Sequence, residues 1–175
     1  MPCMSLHARW LVPARYWQAK LRPPHKTWLL SQGSLTAYLM TLSQGDFKVH
    51  VQHEAWQKPT LDERLSLKLR HYHYAWVREV ALLGHHQPWV MARSIIPQHT
   101  LVGRGRRLKY LGSRSLGSLL FKGGKRGQLV ICAPNSQQNH WTRRSLFYYA
   151  NRPLLVQESF LPALFEAALQ RQICL

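Results

Sequence analysis

The chain has 175 residues and a mass of 20.4 kDa; it is 46% hydrophobic, with 7 Trp, 7 Tyr and 5 Phe, and its 24 Lys and Arg against 7 Asp and Glu give a formal charge of +17. That aromatic and aliphatic content supports the core of one domain and excludes a disordered polycation, which is poor in both. No apolar run reaches the ~18–20 residues a bilayer span needs, and a pI near 10.7 points to an anionic partner without choosing among nucleic acid, membrane surface and small acid.

Residues 1–26 are basic and broken by Pro2, Pro13, Pro23 and Pro24, which predicts an irregular segment ahead of a single domain over 27–175. Helical pattern starts at 27–30. Ser34 then reads as the N-cap of a helix over 35–42, with Leu35, Leu39 and Leu42 on one face. After a turn at 44–46 the period becomes two: Phe47, Val49 and Val51 alternate with Lys48, His50 and Gln52, a half-buried strand. Within 58–74, Pro59, Asp62 and Glu63 suggest a turn opening a short helix.

Residues 76–83 and 89–96 are strand-like runs around a short loop at 84–88, and 104–108 is a basic loop. Ser115 caps a short helix over 116–121, and 128–133 is a compact apolar strand. Residues 141–149 and 154–160 form a second hairpin across 150–153, before a last amphipathic helix over 162–172 with Pro162 in its first turn. Strands joined by short turns, with helices at the ends and crossings, predict an α+β fold with a single antiparallel sheet and flanking helices.

The informative residues break the alternation, because side chains two apart on a strand share a face. Arg78 stands in line with Trp76, Val80 and Leu82; Glu158 with Leu154, Val156 and Phe160; Arg93 with Trp89, Met91 and Ile95. A charge among hydrophobes needs a partner or a ligand. Either Arg78 and Glu158 pair with one another, or their faces are exposed, or they face a pocket in which an Arg fork holds a carboxylate and Glu158 stands opposite. Glu79 and Glu158 are the only carboxylates inside well-patterned strands, so Glu158 leads as an acid–base candidate. Leu35 and Leu116 each follow a serine cap and present a backbone N–H at a helix start, where anions are favoured. The run from Trp141 through Arg143 and Arg144 reads either as stacking chemistry for nucleic acid or as a strand with one Arg on each face.

The remaining motifs carry less. His71/His73 and His85/His86 lack further ligands at metal spacing, so no metal is expected. Gly103-Arg104-Gly105 and Gly123-Gly124-Lys125 fit no phosphate-loop pattern. Cys3, Cys132 and Cys174 read as free thiols of a reducing compartment, and without a secretory h-region a cytoplasmic location is expected.

Taken together, these segments resemble the chorismate pyruvate-lyase family. The resemblance runs in order through 27–162: Trp28-Leu29-Leu30 with Gly33-Ser34-Leu35-Thr36; Trp76-Val77-Arg78-Glu79-Val80; Pro88-Trp89 to Arg93 and Ile96-Pro97; Leu111-Gly112 with Leu116-Gly117; Trp141-Thr142-Arg143-Arg144-Ser145; and Pro153-Leu154-Leu155 to Glu158 and Phe160-Leu161-Pro162. Thr142 stands where the family often has glycine, Leu35 where methionine is common, and 122–140 matches poorly. The resemblance implies a cofactor-free enzyme that takes chorismate to 4-hydroxybenzoate and pyruvate, the first step toward ubiquinone, in a pocket enclosed between sheet and helical flaps. Arg78 would clamp the ring carboxylate, Glu158 would face the 4-hydroxyl end, and Leu35 and Leu116 would border the ligand. Arg93, Arg143 or Arg144 would serve the second carboxylate. A monomer is expected, with no membrane insertion and no obligate nucleic acid. Two other readings stay open: a non-catalytic small-acid-sensing domain of the same fold, for which the first 26 residues are too short and proline-rich to add a helix-turn-helix, and a basic nucleic-acid-binding module.

Overall fold

The computed structural model describes residues 10–12, 21, 23–135 and 138–171. Its elements in chain order are α1 (His25–Leu30), α2 (Leu35–Leu42), β1 (Phe47–Gln57), α3 (Leu61–Leu67), β2 (Ala75–Gly84), β3 (Gln87–Pro97), two 3-10 turns (Gln98–Thr100 and Gly103–Lys109), α4 (Leu116–Gly123), β4 (Gly124–Cys132), β5 (Trp141–Tyr149), β6 (Arg152–Phe160) and α5 (Pro162–Gln170). Two antiparallel meanders, β1-β2-β3 and β4-β5-β6, join along β3 and β6 into one six-stranded sheet of order β1-β2-β3-β6-β5-β4. This is the α+β architecture expected from the sequence.

Both hairpins close on two residues, His85-His86 (φ 50° and 63°) and Ala150-Asn151 (φ 49° and 60°). Left-handed geometry at both central positions is a type I′ turn, whose twist matches that of the flanking strands. Gly84 precedes the first turn because the Trp89 indole lies across it; a Cβ there would stand 2.2 Å from the ring. β1 runs on to Gln57, well past the clean alternation. The register slips between Val51 and His53, and this extra residue reverses the parity and sets Glu54 opposite Arg78.

The short helix suggested within 58–74 is α3, held by a reciprocal cap: Thr60 Oγ1 accepts from the Glu63 N–H (3.3 Å), and the Glu63 carboxylate accepts from the Thr60 N–H (2.9 Å). The basic stretch expected as a loop coils instead into the second 3-10 turn, because Leu108 within it is fully buried. Ser34 caps α2 as expected, through the Ala37 N–H. Ser115 occupies the cap position of α4, but its side chain makes no cap bond.

One face of the sheet carries two apolar clusters. At one end, Val80, Leu82, Val90 and Phe160 pack beneath Trp28 and Leu29 of α1, Leu35 and Leu39 of α2, and Leu164 and Phe165 of α5. At the other end, Ile96, Leu154 and Val156 pack beneath Leu116 and Leu120 of α4. The opposite face is covered by α3, whose Leu67 meets Val77, Ile95 and Leu155. Most of the 1–26 segment lies outside the described residues, as do Cys3 and Cys174. Within it, Leu11 exchanges two backbone hydrogen bonds with Ile131 (2.8 and 2.9 Å), and α1 already begins at His25. Cys132 is buried. Among the described residues no helix is long and apolar enough to cross a membrane.

Candidate active site

Between the two apolar clusters the sheet turns polar. The register sets Glu54, Arg78, Ser94, Val156 and Ser145 in one cross-strand row, and Val51, Val80, Ala92, Glu158 and Arg143 in the next. β3 lies between β2 and β6, so Arg78 and Glu158 start about 12 Å apart, two interstrand spacings across and two residues along. On β3 between them stand only the small side chains of Ala92 and Ser94, which leaves a hollow. A cavity opens at this hollow. Arg78, Glu158, Arg143, Arg126, Ala92, Ser94 and Val156 line it from below, and Leu35, Thr36, Leu116 and Gly117 from above.

The roof is made by the first turns of α2 and α4. Thr36 Oγ1 and Ser115 Oγ share a hydrogen bond of 2.5 Å, which ties the two helix starts together and explains why Ser115 does not cap its own helix. Gly117 permits this approach, since a Cβ there would lie 2.9 Å from Thr36 Oγ1. With no side-chain cap on α4, its first-turn N–H groups are left for another acceptor.

Arg78 is 1% exposed and heavily committed to the protein. Its Nε donates to Glu54 (2.7 Å), and Nη2 donates to the carbonyls of Gly112 (2.6 Å) and Arg114 (3.1 Å). The two-point fork expected for a ligand carboxylate is therefore unavailable in this arrangement. Nη1 is the nitrogen left over. Burial lowers the Arg78 pKa from its ordinary value, and the Glu54 carboxylate works against that shift.

Arg78 does not pair with Glu158. Glu158 instead accepts from Arg143 Nε at 2.6 Å, and its side chain keeps 13% exposure against 1% for Arg143. Arg143 is held in turn by carbonyls at the end of α1: Nη1 lies 3.2 Å from the Trp28 oxygen and 3.5 Å from those of Leu29 and Ser31.

Of the three arginines expected near a second carboxylate, the structure brings only Arg143 to the cavity. Arg93 faces the α3 side, where it forks onto Glu63 (2.8 and 3.2 Å) and donates to Glu79 (2.6 Å). Burial acts to lower its pKa, but these two carboxylates outweigh it and leave it raised. Arg144 points the same way, to Asp62 at 2.7 Å and Gln157 at 3.0 Å, with the Trp10 ring 3.9 Å beneath its guanidinium. The pairing of adjacent Arg143 and Arg144 is thus one charge per face. Trp89 does not share a face with Arg93, because the register shift at Leu82/Leu83 returns it to the cluster of Val90. The sequence reading missed Arg126, Thr36 and Ser115. The two hydroxyls carry no signal that sequence pattern could expose, while Arg126 lies in a stretch without alternation.

A family model described as Chorismate lyase matches residues 6–170. A "Probable chorismate pyruvate-lyase" of Marinobacter nauticus is 40% identical over 164 residues, 91% of this chain and 87% of that protein. Another of that name, from Pseudomonas putida, is 44% identical over 155 residues, covering 83% and 84%. Among solved structures, the effector domain of PhnF from Mycobacterium smegmatis aligns with a TM-score of 0.55 at 10% identity over 77% of this chain and 91% of that one, a likeness of fold.

Proposed function

The chain belongs to the chorismate lyase family, and from that premise we propose that it is a chorismate pyruvate-lyase, converting chorismate to 4-hydroxybenzoate and pyruvate as the entry to ubiquinone. The observation that carries the reading is the cavity with Arg78 at one end, the Arg143–Glu158 pair at the other and only Ala92 and Ser94 between them. On this reading a ring acid spans that frame, with its carboxylate at Arg78 Nη1 and its hydroxyl at Glu158.

In the reaction the ether bond at ring C3 breaks, its electron pair goes to the enolpyruvyl oxygen and the C4 proton is lost. The ring becomes aromatic, and the released enolpyruvate takes a proton at its methylene carbon to become pyruvate. Aromatisation drives the step, so the protein's part is to hold one conformer, exclude water and stabilise developing charge. On this reading Glu158, the one carboxylate among the described lining residues, accepts the hydroxyl hydrogen bond and the C4 proton. Arg143 orients it. The Thr36–Ser115 bond, which ties the two helix starts over the cavity, supports an enclosed site.

Purified protein mixed with chorismate in the presence of EDTA is expected to produce 4-hydroxybenzoate, followed by its ultraviolet absorbance, with one pyruvate per ring. No product and no binding of 4-hydroxybenzoate overturns the reading. Tight binding without turnover favours instead the small-acid-sensing domain.

A further inference from the structure

We infer that Arg126 and Arg143 together form a second anion subsite at the Glu158 end of the cavity, which receives the enolpyruvyl carboxylate of the substrate while Arg78 serves the ring carboxylate. The identity of the ligand rests on the chorismate reading; the subsite itself rests on side-chain geometry. Arg143 is fully buried, and its Nη2 has no hydrogen-bond partner among the described residues although Nε and Nη1 are both engaged. A buried guanidinium nitrogen without an acceptor is costly, and a ligand oxygen relieves it.

Arg126 reaches the same place from the edge strand β4. Its Nη1 donates to the Ser31 carbonyl at 3.0 Å, the same oxygen that Arg143 Nη1 approaches at 3.5 Å, so the two guanidinium groups are neighbours around one acceptor. The Phe147 ring, 5.2 Å away, holds Arg126 from the side. Both arginines line the cavity with Glu158.

Charge leads to the same place. Glu54 balances Arg78, but Glu158 alone faces two cations, which leaves one positive charge uncompensated at this end. Burial and the nearby Arg143 both lower the Arg126 pKa, with Glu158 opposing them. An incoming carboxylate removes that repulsion. In chorismate the enolpyruvyl ether is on C3, next to the C4 hydroxyl at Glu158, so its carboxylate falls on the side of Arg126.

The test is calorimetric titration of wild type, Arg126→Leu and Arg126→Lys with two stable ring acids. One is 4-hydroxybenzoate, and the other is 3-(carboxymethoxy)-4-hydroxybenzoate, the same ring with a second carboxylate on an ether at C3. Arg126→Leu is expected to lose at least tenfold in affinity for the diacid and less than twofold for the monoacid, with Arg126→Lys recovering most of the loss. For chorismate, KM is expected to rise about as much, with kcat changed by less than threefold. Equal losses for both acids, no loss for either, or a wild type that binds neither, overturns the subsite. A wild type that does not turn over chorismate but shows the Arg126-dependent preference removes the lyase reading and keeps the subsite. Turnover with an unchanged KM in Arg126→Leu does the reverse.

Discussion

Arg78 holds the fold and the cavity with one guanidinium. Three protein acceptors occupy Nε and Nη2, so a ligand meets Nη1, a single charge-assisted donor worth about 1.5–3 kcal/mol. Arg78→Lys retains a charge but cannot satisfy Glu54, two carbonyls and a ligand at once. It is expected to lower kcat/KM about 10- to 150-fold while circular dichroism stays native, and unchanged kcat/KM would remove Arg78 from the site. Arg78 and Glu158 were legible in the sequence because each interrupts a well-patterned strand. Arg126 was not. Lys125, Arg126, Gly127 and Gln128 show no alternation, and the register shift between Arg126 and Leu129 cancels any parity argument. Parity also tells which residues share a face but not which face holds the cavity, which is why Arg93 and Arg144 were grouped with Arg143.

At the scale of elements, α3 is fastened to the sheet by charge as well as by the apolar contact of Leu67. Glu63 is fully buried; one carboxylate accepts the Arg93 fork and also closes the capping box with Thr60. Removing one partner of a buried pair costs about 3–5 kcal/mol when the other charge is left alone, and less here because Arg93 keeps Glu79, whereas losing an N-cap hydroxyl costs about 1 kcal/mol. Urea unfolding is therefore expected to show Glu63→Gln more destabilising than Thr60→Ala; equal losses would mean that the cap, not the ion pair, fastens α3. The spacing of Thr60 and Glu63 is that of a capping box and is readable from the sequence. The hydroxyl bridge between α2 and α4 was not readable at all, because 79 residues separate Thr36 from Ser115 and neither residue type departs from its local pattern.

At the scale of the whole molecule, three histidines add to its sensitivity to acid. Burial lowers the pKa of His25, which packs on the Phe165 ring at 4.2 Å, and that of His140; burial also lowers His99, with help from Arg152 and His73. A histidine held neutral in the folded state contributes stability that is complete above its ordinary value of 6.5 and is lost as pH falls through the lowered one. Tm is thus expected to fall between pH 7.5 and pH 5 and to fall less in His25→Phe; a flat profile would mean that these rings are solvated.

Six of the seven carboxylates sit in ion pairs, five of them with sheet arginines: Glu54 with Arg78, Glu63 and Glu79 with Arg93, Glu158 with Arg143 and Asp62 with Arg144; among the described residues only Glu166 makes none. The acids thus largely cancel interior and near-surface cations, and the excess lysine and arginine forms an outer coat. In a cell extract that coat is expected to behave as a resin, gathering RNA fragments and shedding them in a salt wash. Retention on heparin or a gel shift in dilute buffer would accordingly report on the coat and say nothing of the pocket beneath it.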